Sequence, residues 1–177
     1  MARWLSFDPA ALTGLCHWYG DTITTVATLR GPTKAEAKVA GSKVRMVDVL
    51  SRRGVRTALA FGDELQAWSW ILAGVTAVVG EEGFGPSPKT IKQHAFRRGF
   101  VAGLCAPRGI PFHEVNVSEW RKVVGEANGF TFPRDTESAK ARAQELIEAR
   151  FTKGLSDDEA DAACAGLWAL QTRTVRP

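Results

Sequence analysis

Four carboxylates in this 177-residue chain stand where a carboxylate is costly. Asp8 closes the apolar run Trp4-Leu5-Ser6-Phe7, Glu81 closes Val78-Val79-Gly80, and Asp158 and Asp161 lie three residues apart in Ser156-Asp157-Asp158-Glu159-Ala160-Asp161-Ala162-Ala163-Cys164. Ser156 and Glu159 have the spacing of a capping box, which puts Asp157 and Asp158 in the first turn of a helix. Negative side chains there offset the positive end of the helix dipole, so Asp157 and Glu159 have a purely structural account. Asp161 does not. Cys164, Ala165 and Trp168 follow it at three, four and seven residues, on the face a helix buries. A lone desolvated carboxylate is unfavourable unless it is paired, hydrogen-bonded or bound to a cation. Asp158, one turn away on the same side, adds repulsion that a divalent ion relieves. An all-oxygen donor set suits Mg2+ or Mn2+. Two such ions about 3.5 to 4 Å apart suit phosphodiester hydrolysis.

For the acids to meet, the elements carrying them must converge. Arg3 to Phe7 reads as a buried strand stopped at Asp8-Pro9, and Gly14 to Tyr19 and Thr22 to Leu29 continue as strands about the turn pair Gly20-Asp21. Val44 to Leu50 is ambiguous between strand and helix. Thr57 to Ala73 has near-helical apolar spacing, and Val75 to Val79 suits a central parallel strand. The segment Gly83 to Pro88 is a loop before a helix from Lys89 to Ala106, and Pro111 to Val117 makes a further strand. Trp120 to Val124 reads as a short helical turn, Gly125 to Asp135 as an irregular loop, and Thr136 to Phe151 and Ser156 to Leu170 as helices. The expected class is α/β: an N-terminal antiparallel meander plus parallel strands, one mixed sheet flanked by helices, in a single domain over residues 1–177. In open α/β sheets ligands bind at the carboxyl ends of strands, where Asp8 and Glu81 sit.

Charged residues make up 24% and hydrophobic ones 45%, which excludes disordered and fibrous classes. No apolar stretch reaches the roughly 20 residues of a membrane span, so neither an anchor nor a signal peptide is expected, and the expected location is cytoplasmic. Cys16, Cys105 and Cys164 lack zinc-ligand spacing and fit buried, reduced thiols. A net charge of +4 is compatible with a polyanionic partner. His17 and His113 fall in strands and read as structural, while His94 lies on the basic helix within reach of phosphate; none is assigned to catalysis.

Ser6-Phe7-Asp8-Pro9 with Thr13-Gly14, Val78-Val79-Gly80-Glu81-Glu82-Gly83-Phe84, and Asp158-x-x-Asp161-Ala162 together resemble the RuvC-type Holliday junction resolvases. The resemblance runs over nearly the whole chain and implies a ribonuclease H-like fold. It also implies a crossover-junction endodeoxyribonuclease that uses Mg2+, with Mn2+ able to substitute, and a homodimer making paired symmetric nicks across a four-way DNA junction. Asp8, Glu81, Asp158 and Asp161 match the metal-binding acids, and Lys140 matches a lysine near the scissile phosphate. Phe84 corresponds to an aromatic wedge at the junction centre. Arg121 or Lys122 is expected as the other basic contact, and Lys89, Lys92, Arg97 and Arg98 are expected to supply phosphate contacts. The chain departs from the family pattern at Ala10-Ala11 after the first Asp-Pro, at Gly80, and in a longer segment from Glu126 to Thr136. Glu82 remains an alternative to Glu81, and Asp157 to Asp158.

Two other readings stay open: a ribonuclease H-like nuclease acting on RNA–DNA hybrids or other branched DNA, and a non-catalytic basic DNA-binding module whose acids only cap helices and end strands. The dimer face is expected on the helix around Trp68, Trp70 and Ile71 or on the helix after Phe84.

Overall fold

The structure, a computed structural model, describes residues 1–10, 12–31, 35, 38, 45–51, 56–83, 87–151 and 153–176. Its strands are β1 (Arg3–Asp8), β2 (Thr13–Tyr19), β3 (Thr22–Arg30), β4 (Arg45–Ser51), β5 (Arg56–Phe61), β6 (Val78–Glu81) and β7 (Phe112–Val115). Its helices are α1 (Glu64–Ile71), α2 (Pro88–Cys105), α3 (Val117–Ala127), α4 (Thr136–Glu148) and α5 (Asp157–Gln171). The strands form one sheet in the order β5-β4-β3-β2-β1-β6-β7. The five N-terminal strands are antiparallel, whereas β6 runs parallel to β1 and β7 parallel to β6.

β1 lies at the centre of the site because it is apolar on both faces: every residue from Trp4 to Asp8 is buried. Side chains alternate across a strand. Leu5 and Phe7 pack with Trp68, Ile71 and Val101 of α1 and α2, while Trp4 packs with α3, α4 and α5 on the other face. Ser6 shares the Trp4 face, where its hydroxyl accepts the indole N–H of Trp18 at 2.9 Å. Asp8 therefore projects toward α5. On β6, Val78 belongs to the first layer and Val79 to the second, so Glu81 also projects toward α5. The parallel register Phe7↔Gly80 sets Asp8 and Glu81 side by side.

α5 is buried on every side from Glu159 to Ala169, which is why its sequence is so rich in alanine. It lies on β1 and β2 beneath α3 and α4. A Cβ on Gly14 would stand 1.9 Å from the Asp158 carbonyl oxygen, so only glycine lets the helix start this close to β2. Since Gly14 is the cross-strand partner of Asp8, that approach delivers the first turn of α5 to Asp8.

Three expectations need correction. Thr57 to Ala73 is not one helix: residues up to Phe61 pair with β4, and a separate helix begins after Asp63, whose carboxylate accepts the Gln66 N–H at 2.6 Å. Sheet pairing has overridden local helical spacing, and the ambiguous stretch at Val44 to Leu50 is strand β4, against which β5 pairs. The short turn at Trp120 to Val124 is the eleven-residue α3, started by an Asn116 cap that also ends the preceding strand at Val115. The strand expected at Val75 to Val79 is shifted to Val78–Glu81, carrying Glu81 inside the sheet.

Candidate active site

Asp8, Glu81, Asp158 and Asp161 line one cavity of about 640 Å3 at the carboxyl ends of β1 and β6. Each is positioned differently. Asp8 is 5% exposed, and its Oδ1 accepts the backbone N–H of Ala10 at 3.1 Å, fixing the carboxylate as the strand ends. Glu81 is 6% exposed, and its Oε2 accepts the indole N–H of the fully buried Trp120 at 2.9 Å. Asp158 and Asp161 come from one side of α5, whose start is locked by the capping box: Ser156 accepts from the Glu159 N–H, and Glu159 accepts from the Ser156 N–H. The same Glu159 also receives the Thr28 hydroxyl at 2.8 Å, anchoring the helix start to β3.

The residues lining the cavity fit a hard divalent cation. Asp161 is 6% exposed, and its Oδ1 is buried without a hydrogen-bond partner. Burial, followed by the charge of Glu81, pushes its pKa up to about 7 against the pull of Arg121 and Lys140. Asp8 rises well above the usual carboxylate range through burial and then the charges of Glu81, Asp161 and Asp158. Glu81 and Asp158 are raised as well, chiefly by burial. A set of oxygen donors that mutually disfavour ionisation is one that a cation stabilises. The acids stand around the cavity; among the described residues no three His, Cys, Asp or Glu side chains form a ready-made coordination cage.

Cations frame the acids. Lys140 on α4 lines the cavity and pairs with Asp157 at 3.3 Å; burial pulls its pKa down, but Asp157, Asp161 and Asp158 together outweigh that and hold the ammonium above its ordinary range. Arg121 on α3 also lines it, with its guanidinium 5.4 Å from the Trp120 ring centre. Arg97 donates to the Thr13 hydroxyl at 2.9 Å and lies near enough to Asp8 and Asp158 to feel their charge.

The structure separates the alternatives left open by sequence. Glu81 lines the cavity, whereas Glu82 is exposed and accepts from Asn116 at 3.1 Å. Asp158 lines the cavity, whereas Asp157 turns to Lys140. Gly80 has a packing reason: a Cβ there would sit 2.7 Å from the Phe7 ring, which fills the space a bulkier residue would take.

The remaining sequence-derived residues scatter. Lys89, Lys92 and Arg97 border a separate groove of about 740 Å3 with Arg45 and Phe96. Arg98 pairs with Glu114 at 2.7 Å on the far side of α2. Lys122 lines neither that groove nor the acid cavity but a smaller neighbouring cavity. Phe84 lies outside the described residues. Trp68 and Ile71 are core residues, so of that helix only Leu65 and Trp70 offer exposed apolar surface. Sequence reasoning missed Trp120 as a partner of Glu81, although a buried indole N–H needs an acceptor. His94, placed by the sequence on the basic helix within reach of phosphate and given no catalytic role, is 9% exposed, lines the cavity and packs its ring against Gly83.

A scan against protein-family models and a search of curated proteins find no match. Solved structures do match. The chain is similar to Thermus thermophilus RuvC in complex with a Holliday junction substrate, at 10% identity and a TM-score of 0.50, covering 100% of this chain and 99% of that one. It is similar also to another Thermus thermophilus RuvC structure, at 12% identity and a TM-score of 0.53, covering 99% of each chain. With the strand order and the helices on both faces, this likeness shows that the chain has a ribonuclease H-like fold, the fold of RuvC.

Proposed function

We propose that the protein is a divalent-metal-dependent endonuclease of the RuvC type that resolves four-way DNA junctions. One observation carries the reading: three buried carboxylates, Asp8, Glu81 and Asp161, and the half-buried Asp158 converge from β1, β6 and α5 on a cavity rimmed by Lys140 and Arg121. Asp8, Glu81, Asp158 and Asp161 would hold Mg2+ or Mn2+, which when bound supplies Lewis-acid activation of water and stabilisation of the leaving oxygen.

The chain's own groups do the rest. Lys140 and Arg121 meet the scissile phosphate and offset the charge that builds on it. Trp120 holds Glu81 in one orientation, and the Ala10 N–H does the same for Asp8. Arg97, Lys89 and Lys92 bind phosphates further along the strand, with Arg45 extending their groove. Two symmetric nicks call for a two-fold assembly, and the exposed Ile91 and Phe96 on α2 give a homodimer an apolar contact.

The test is a panel of four-way junction, flap, RNA–DNA hybrid and linear duplex, each with Mg2+, Mn2+ or EDTA. Metal-dependent paired nicking of the junction above all others is the expected result. Equal rates on every substrate would remove junction selectivity, and faster cutting of the hybrid would move the activity to RNA. No cutting by wild type, with tight salt-sensitive binding, would leave a binding module.

A further inference from the structure

Beside the acid cavity lies a smaller one, of about 240 Å3, which the proposed chemistry leaves unused. It is walled by α3 and by the segment 128–135, which lies within the stretch Glu126 to Thr136 that departs in length from the family pattern. Its apolar side is aromatic: Phe130 and Phe132 meet edge to face at 5.0 Å, and Phe132 meets Trp120 the same way at 5.3 Å. Arg142 covers Phe130 with its guanidinium 4.3 Å from the ring centre, which holds that ring in place. Arg121 and Lys122 make its border positive, and Glu126 supplies a carboxylate acceptor. Ser118 and Arg121 line both cavities, so the two share a wall. The Nε of Arg121 is buried without a partner, leaving an unused donor in this shared wall.

We propose that this cavity receives a nucleobase next to the scissile phosphate, which makes segment 128–135 the base-reading part of the protein. The proposal rests on the nuclease reading of the adjacent site. The volume is below the roughly 300 to 1,000 Å3 of pockets for drug-sized ligands, and suits one planar ring. Aromatic side chains stack on bases, cations at the border take the connecting phosphate, and a glutamate accepts from an exocyclic amine.

The experiment uses the full chain and four-way junctions that differ only in the base beside the cleaved phosphate. Cleavage is followed in Mn2+, and binding is followed in EDTA with 2-aminopurine at that position. In wild type the cleavage rates should spread about tenfold, equivalent to about 1.4 kcal/mol, and the 2-aminopurine should be quenched on binding. Phe130→Leu keeps an apolar side chain but no ring; its rates should converge to within about twofold and its probe stay bright, with a cooperative thermal melt reporting an intact fold. No spread in wild type, or a spread and quench that survive Phe130→Leu, overturns the proposal. If wild type cuts no junction, the nuclease reading fails. The metal-free probe then decides alone: quenching by wild type but not by Phe130→Leu supports the base site, and a bright probe with both overturns it.

Discussion

Replacing Asp161 by Asn should make the metal-free protein more stable while abolishing its cutting. The folded pKa of Asp161 is about 7 against an ordinary 3.8, so its ionisation opposes folding. The associated stability is fully present below about pH 3.8 and lost as pH rises through 7. At about 1.4 kcal/mol per pH unit of that interval, ionised Asp161 costs at most about 4 kcal/mol at pH 8. Asparagine cannot ionise, but it leaves a buried polar group whose desolvation returns about 1 to 3 kcal/mol of this. The net gain, about 2 kcal/mol, raises the melting temperature about 4 to 8 °C for a chain of this size. Thermal melts of both proteins in EDTA from pH 4 to pH 8 should therefore show Asp161→Asn ahead at pH 8 and the gap closing toward pH 4. In saturating Mn2+ the order reverses, since ligand at 100 times its Kd stabilises wild type by about 2.7 kcal/mol and the variant little. A variant less stable than wild type at pH 8 in EDTA, or a gap that ignores pH, would refute the account of Asp161 as a desolvated charge awaiting a cation.

Trp120→Phe keeps an aromatic side chain but removes the N–H donated to Glu81 and leaves a cavity in the core, so Mn2+ affinity, measured by titration calorimetry, should weaken about 10- to 100-fold and the melting temperature should fall. Gly14→Ala drives a methyl into the Asp158 carbonyl, so urea unfolding should show a loss of about 3 kcal/mol or more, together with loss of cutting. The buried His17 has a pKa lowered from 6.5 to about 4, by burial first and Arg3 second, so its share of stability is complete above pH 6.5 and lost as pH falls toward 4. That share is about 3 kcal/mol, and His17→Gln should flatten the acid limb of the stability curve between those pH values. Any rise in wild-type stability across that range must come from the raised carboxylates, which act in the opposite direction.

The acid set was legible because burial and charge conflict locally: a carboxylate seven residues before Trp168 on an apolar face, and two more ending apolar runs, need no tertiary information to look expensive. The capping box at Ser156 was equally local. Choosing Glu81 over Glu82 was not, since neighbouring strand residues face opposite ways and only the register with β1, set by the Phe7 ring over Gly80, decides between them. β5 was hidden because Thr57 to Phe61 has spacing that satisfies a helix, and its pairing with β4 is a long-range fact. The Trp120–Glu81 contact joins residues 39 apart in sequence and is invisible to any periodicity.

On the proposed function, the burial of α5 decides when the chain becomes able to cut DNA. Two of the four oxygen donors ride on a helix whose whole length must be inserted between the sheet and two other helices. A nascent or proteolytically clipped chain without that helix still has Asp8 and Glu81, yet half the ligand set is missing. Cutting would therefore be gated by completion of folding, and unfinished molecules would leave DNA intact.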